Sequence, residues 1–182
     1  MKSRNLLILL PVFFLVCITT PGCKKDKQPY SGTDTIDNTL VPSGQVFAVF
    51  GFSFEEGKVL SNLEPPGPDI TINLQTDFDG NVTGKYFDSN RLVESFALAG
   101  EYSGASEAIA AFDNLLEVGT RTWQLAAWGV EENQVWLFKT SEGNYVKFRI
   151  IEIQVDEQAD PPYIEVTFEW RIQPDGADIF SK

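Results

Sequence analysis

The side chains that most often carry out chemistry in enzymes are scarce in this chain of 182 residues. It contains no histidine, and its two cysteines, Cys17 and Cys23, both lie near the start. Beyond Cys23 neither Ser-His-Asp nor Cys-His catalysis can be assembled, and zinc sites built on nitrogen or sulfur donors are excluded as well. Oxygen donors remain, and these suit calcium or magnesium. We therefore predict a protein that is not an enzyme.

One acidic segment has a spacing that occurs in calcium sites. Asp77, Asp79 and Asn81 stand at alternate positions, and Asp88 follows at the twelfth, as in an EF-hand loop. The segment lacks glycine at the sixth position and glutamate at the twelfth. A hairpin turn whose acids face water explains it better, so we predict no metal site.

The chain begins with the features of a secretory signal peptide. Lys2 and Arg4 precede an apolar run over residues 6–18. That run is about 13 residues long and contains Pro11, whereas a helix that spans a bilayer needs about 20 apolar residues. A permanent transmembrane helix is therefore not expected here.

The residues around Cys23 resemble the lipobox of bacterial lipoproteins. Gly22 stands directly before the cysteine, and in lipoproteins the thiol at this position is acylated before cleavage makes it the new N-terminus. We predict that residues 1–22 are the signal peptide and that Cys23 attaches the protein to a membrane through lipid. The alternative is ordinary signal cleavage, which would leave a free thiol at Cys23.

Residues 23–44 are polar and rich in Gly, Pro, Ser, Thr and Asp, with no periodicity that could bury a face. This composition predicts a lipid-anchored flexible tether, followed by a single β domain over residues 45–182. Loss of residues 1–22 removes two cations and no acid, which changes the net charge from -12 to -14. Such a charge repels phosphate backbones, so we expect no nucleic-acid partner.

Alternation of apolar and polar residues dominates the predicted domain. In "YIEVTFEWRIQ", residues 163–173, every second residue is apolar, as a half-buried antiparallel strand requires. Hairpin turns are indicated at residues 55–57, 79–80 and 141–144, each containing a glycine. We predict an all-β fold of antiparallel sheets arranged like a sandwich.

Two details of the strand pattern carry structural meaning. Residues 135–138 are apolar on both faces, which predicts an inner strand covered on both sides. In the strand that follows, the apolar register slips by one residue between Ile150 and Ile151. Such a slip requires a β-bulge or a sharp twist.

One segment departs from the strand pattern. In "SGASEAIAAFDNLLEVG" apolar residues recur at intervals of three and four, which predicts an amphipathic helix near residues 105–117. Ser103 or Ser106 could cap its start and Gly119 its end. We expect the apolar stripe to pack on the sheet; a lid or a partner-docking helix is the alternative. The stripe consists of Ala105, Ala108, Ile109, Phe112, Leu115 and Leu116.

Three segments resemble the HmuY-like haem-binding lipoproteins of Gram-negative bacteria. They are "FSFEEGKVL" at residues 52–60, "VWLFKTSEGNYVKFRIIEI" at residues 135–153 and "YIEVTFEWRIQPDG" at residues 163–176. The resemblance implies an HmuY-like β domain with little helix, tethered to the outer membrane by lipid on its periplasmic or cell-surface face. It also implies a protein that captures haem and passes it to an outer-membrane receptor.

The resemblance also indicates where ligands would be sought. Family members hold haem iron with histidine or methionine, and after residue 22 this chain has neither. Tyr86 and Tyr102 could offer oxygen donors, and Trp123 or Trp128 could stack on a planar ligand. Each of these four residues could instead be an ordinary strand, core or rim aromatic.

Two functions follow from these patterns. The first is a ligand-binding lipoprotein associated with uptake of haem or of another planar or apolar small molecule. The alternative is a surface lipoprotein that recognises a protein or glycan through loops near residues 77–130, which exposed aromatic side chains in that region would favour.

Overall fold

The computed structural model describes residues 30–90 and 93–180. The predicted signal peptide and the predicted lipidation site Cys23 lie outside these residues. The described chain forms two antiparallel sheets and a short helix, which confirms the predicted all-β fold. Within the same two ranges no helix is both long enough and apolar enough to cross a bilayer.

Eleven strands and one helix follow one another along the described residues. In chain order they are β1 Ser31–Asp37, β2 Leu40–Ser43, β3 Val46–Ser53, β4 Lys58–Ser61, β5 Ile70–Thr76, β6 Val82–Ser89, β7 Phe96–Glu101, α1 Ala105–Asn114, β8 Ala126–Trp128, β9 Gln134–Lys139, β10 Tyr145–Asp156 and β11 Tyr163–Gln173. The first sheet has the order β1-β11-β10-β9-β7. The second has the order β2-β3-β5-β6-β8, with β4 paired to β3.

The main core lies between the two sheets and is rich in aromatic rings. Phe52 of the second sheet packs edge-on against Phe168 of the first, with ring centroids 5.4 Å apart. The rings of Phe87 and Phe148 meet in the same way at 5.5 Å. In β11 every second residue is buried, which confirms the predicted half-buried strand. The sandwich is thus closed by the alternation visible in the sequence.

The N-terminal segment is not a flexible tether up to residue 44, so that prediction is wrong for residues 31–43. β1 pairs along its whole length with β11, from Ser31 opposite Arg171 to Asp37 opposite Glu165. Ile36 is buried in the core, and Trp170 Nε1–H donates to Asp34 Oδ2 at 2.7 Å. These contacts outweigh the conformational entropy that the polar segment loses when it becomes ordered. The folded domain therefore includes Ser31.

The predicted hairpins and the predicted irregularity are confirmed. β3 pairs with β4, β5 with β6, and β9 with β10, each across one of the expected turns. The register of β10 against β11 shifts between Ile150 and Glu152, which places a bulge at Ile151. β9 lies between β10 and β7, and residues 135–138 are buried, as an inner strand requires.

Helix α1 is shorter than predicted, because it ends at Asn114 and not near residue 117. Gly104 occupies the N-cap, while the Ser103 hydroxyl donates to Glu107 Oε2 at 2.8 Å. Ala108 and Phe112 are buried, which confirms that the helix packs on the sheet. Buried Lys147 of β10 holds the C-terminal end of the helix, donating to the carbonyl oxygens of Phe112 at 2.6 Å and Leu115 at 3.0 Å.

Candidate functional site

The structure brings two of the four candidate aromatic residues together. Tyr86 of β6 and Trp128 of β8 stand opposite each other in register. Their rings stack with centroids 4.4 Å apart and an angle of 28° between the planes. We call this pair the aromatic platform.

The alternation of the strands explains why the platform faces away from the core. Phe87 and Ala127, the next residues on each strand, form a buried pair. Because successive side chains point to opposite faces, Tyr86 and Trp128 are directed to the outer face of the second sheet. On β5, Asn73 stands opposite Tyr86, so an amide side chain continues the row across a third strand.

The platform combines an open aromatic surface with negative charge. Trp128 is 53% exposed although one face of its indole is covered by Tyr86. Partial burial, followed by the nearby Asp88 carboxylate, raises the pKa of the Tyr86 phenol. The neighbouring Lys85 points to the opposite face of β6, where its Nζ lies 2.9 Å from Glu131 Oε2 in an ion pair. At neutral pH Tyr86 is therefore a neutral hydroxyl that can donate or accept a hydrogen bond.

The other two candidates, Tyr102 and Trp123, have packing contacts of their own. A Cβ placed on Gly100 would overlap the phenol of Tyr102, so the ring fills the space that this glycine leaves. Trp123 lies 6.1 Å from the Tyr145 ring and packs on a second apolar cluster that contains Leu137. Within the described residues, neither Tyr102 nor Trp123 stacks on the platform.

The acidic segment at the β5–β6 turn is a hairpin turn, as predicted. Asp77 accepts hydrogen bonds from the backbone N–H groups of Asp79 at 3.0 Å and Asn81 at 2.8 Å, and from the Asn81 amide at 2.9 Å. These bonds, those from Asn81 foremost, lower the pKa of Asp77. In residues 30–90 and 93–180 no cluster of acidic, cysteine or histidine side chains is arranged to hold a metal. Phe78 at the same turn is fully exposed.

A polar pocket that the sequence analysis did not identify joins two hairpin turns. Glu55 of the β3–β4 turn accepts hydrogen bonds from Thr140 and from the Asn144 amide of the β9–β10 turn, the latter at 2.9 and 3.1 Å. Beside it, Asp69 is buried and accepts the N–H of Phe54 at 2.8 Å. The cavity measures about 190 Å³. The bonds of Glu55 tie a turn of the second sheet to a turn of the first.

A larger concavity, which we call the apolar groove, lies elsewhere on the domain. It has a volume of about 550 Å³. Its lining residues are Asn38, Thr39, Leu40, Phe47, Asp156, Ala159, Pro161, Pro162 and Tyr163. None of these positions stood out in the sequence, because they come from three separate segments.

Comparison with known proteins does not assign a family. No protein-family model matches the chain, and no curated protein matches its sequence significantly. Function must therefore be inferred from the chemistry of the platform, the polar pocket and the groove.

Proposed function

We propose that this chain is a non-enzymatic binding protein, anchored to the outer membrane through lipid on Cys23, and that its ligand lies on the aromatic platform. The anchor is supported by the lipobox-like residues before Cys23. The binding role is supported by a single observation, the half-exposed indole of Trp128 held against Tyr86.

An exposed tryptophan in a folded domain forgoes apolar burial that a core position would provide. The stack on Tyr86 fixes the orientation of the Trp128 indole, so a ligand that covers its open face need not pay to order the ring. A preorganised aromatic surface of this kind is typical of binding sites.

The charges around the platform indicate the chemistry of the ligand. Asp88 is an exposed carboxylate on the face of β6 that carries Tyr86, whereas the cation Lys85 points to the opposite face, where it is paired with Glu131. An anionic ligand would therefore be repelled. A neutral glycan fits better, because its apolar ring face can stack on Trp128 and its hydroxyls can bond the Tyr86 phenol and the Asn73 amide.

Haem capture, in the manner that the HmuY resemblance implies, is a second candidate. The observation that favours it is the Tyr86 phenol, an oxygen donor stacked on one face of an indole whose other face is open. The raised pKa of Tyr86 and the acidic surroundings act against a phenolate ligand and against the haem propionates. In this case the partner would be an outer-membrane receptor that accepts the haem.

Ligand titrations of the purified protein distinguish the two candidates. A panel of neutral oligosaccharides should shift the indole N–H resonance of Trp128, and Trp128→Ala should weaken binding about tenfold, equivalent to about 1.4 kcal/mol. The matched control Trp123→Ala should bind as the parent does. If no glycan shifts that resonance while haemin produces a Soret band that Tyr86→Phe abolishes, the glycan proposal is wrong and haem capture is favoured.

A further inference from the structure

The apolar groove is built from segments far apart in the sequence. Asn38 and Thr39 lie between β1 and β2, and Phe47 belongs to β3. Pro161 and Pro162 come from the turn between β10 and β11. At about 550 Å³ the groove is of the size that small-molecule sites have in proteins.

Its walls are apolar, open to solvent and partly rigid. Leu40 is 49% exposed and Phe47 is 59% exposed, an unusual state for two large apolar side chains that line one groove. The rings of Pro161 and Pro162 restrict the backbone of the opposite wall. A ligand would therefore meet a surface that is largely formed before binding.

The charges at the groove have one sign. Asp156 lines it, and none of the described lining residues is lysine or arginine. Tyr163, also in the lining, donates its hydroxyl to Glu165 Oε2 at 3.0 Å. Burial, the hydrogen bond to Glu165 and the charge of Asp37 raise the pKa of Tyr163 to about 12. The carboxylates of Asp156 in the lining and of Asp37 and Glu165 near Tyr163 disfavour a negatively charged ligand and attract a positively charged one.

We propose that the apolar groove binds a small organic cation: an apolar body that lies against Phe47, Leu40 and the two prolines, with a positively charged group beside Asp156. This site is separate from the aromatic platform and does not depend on the function proposed for it. The complementarity is one of shape, apolarity and charge together.

The position of the groove leaves it accessible if the chain is anchored at its N-terminus. The first described residue is Tyr30, whose carbonyl accepts the N–H of Ile172, and β1 then runs seven residues to Asp37. At about 3.3 Å per residue this strand spans about 23 Å. The groove therefore lies at the end of β1 away from the point where the predicted lipid-anchored segment joins.

Three probes that share one apolar body test the proposal on the purified protein. 4-Phenylbutylamine, 4-phenylbutanol and 4-phenylbutyrate each carry a phenyl ring on a four-carbon chain, and their terminal groups have positive, no and negative charge respectively. In calorimetric titrations the affinity should fall in the order amine, alcohol, carboxylate, and the amine should bind about tenfold more tightly than the carboxylate at low salt. Equal affinities for the three probes would overturn the proposal. So would the absence of amine binding at about 10 mM, a concentration well above the usual dissociation constants of such sites.

Variants separate the two parts of the proposed recognition. Phe47→Ala should weaken binding of the amine and of the alcohol alike, whereas Asp156→Asn should weaken binding of the amine alone. Phe50→Ala is the matched control, because Phe50 lies on the same strand and is exposed but does not line the groove. Circular dichroism must show each variant folded. The assignment would be contradicted if Phe50→Ala lost as much affinity as Phe47→Ala, or if folded Asp156→Asn bound the amine as tightly as the parent. Trp128→Ala should leave amine binding intact.

Discussion

Replacing Asp69 by asparagine should remove a specific pH dependence from the stability of the fold. Asp69 stands directly before β5, is only 8% exposed, and accepts the N–H of Phe54 at 2.8 Å. Burial is the main cause that raises its pKa from 3.8 to about 6, and the charge of Glu55 adds to it. Asparagine can still accept the Phe54 N–H through its carbonyl oxygen, but it does not titrate.

The size and sign of the effect follow from proton linkage. Between pH 3.8 and about 6 the native state binds a proton at Asp69 that the unfolded state has released, so stability falls as the pH rises. A shift of about two pKa units corresponds to about 3 kcal/mol. This stabilisation is fully present below about pH 4 and is lost above about pH 6.

Urea unfolding followed by tryptophan fluorescence measures the effect. From about pH 4 to about pH 7, the stability of Asp69→Asn should rise relative to the parent by about 3 kcal/mol. Asp175→Asn is the control. Asp175 is exposed and its pKa is lowered, first by a hydrogen bond from Gln173, so any pH-dependent change in the stability of this variant relative to the parent should have the opposite sign. If the free energy of unfolding of Asp69→Asn and that of the parent changed in parallel with pH, the reasoning would be refuted.

Three further predictions concern the core and the anchor. Gly51→Ala should cost about 3 kcal/mol or more, because a Cβ there would overlap the carbonyl oxygen of Ile70. Gly104→Ala meets open space and loses only the preference for glycine over alanine at the N-cap, so it should cost no more than about 1 kcal/mol in the same urea experiment. Trp170→Ala should lower the free energy of unfolding by about 4 kcal/mol, and a loss below about 1 kcal/mol in thermal or urea unfolding would contradict the core described here. Cys23→Ser should abolish labelling by a radioactive fatty acid and release the protein from membranes; unchanged membrane association would remove the proposed anchor.

Much of the fold could be predicted because its central strands carry their own signal. β11 alternates over eleven residues, and the β9–β10 hairpin joins two apolar runs at a glycine turn. The slip at Ile151 could be placed because it moves every later side chain of β10 to the other face. Local patterning and tertiary burial agree in these segments.

The N-terminal strands could not be predicted because their pattern is too weak. β1 has a single apolar side chain, Ile36, and otherwise consists of small and polar residues. It is an edge strand, so pairing with β11 and the bond from Trp170 to Asp34 hold it in place. Backbone pairing of this kind depends on the partner strand and leaves little trace in the local sequence.

The candidate site could be predicted in its residues but not in its arrangement. Tyr86 and Trp128 were identified by type, yet they meet only through the register of β6 against β8. Tyr102 and Trp123 had the same residue types and lie in packing roles. The apolar groove had no local signal, since it assembles from three segments that are distant in the chain.

The most direct test of the central claim is titration of the purified protein with neutral oligosaccharides, observed at the indole N–H of Trp128. The proposed function predicts a saturable shift of that resonance by at least one glycan, weakened about tenfold in Trp128→Ala and retained in Trp123→Ala. A glycan that binds with equal affinity to the parent and to folded Trp128→Ala, or a panel that leaves the resonance unmoved, would contradict it.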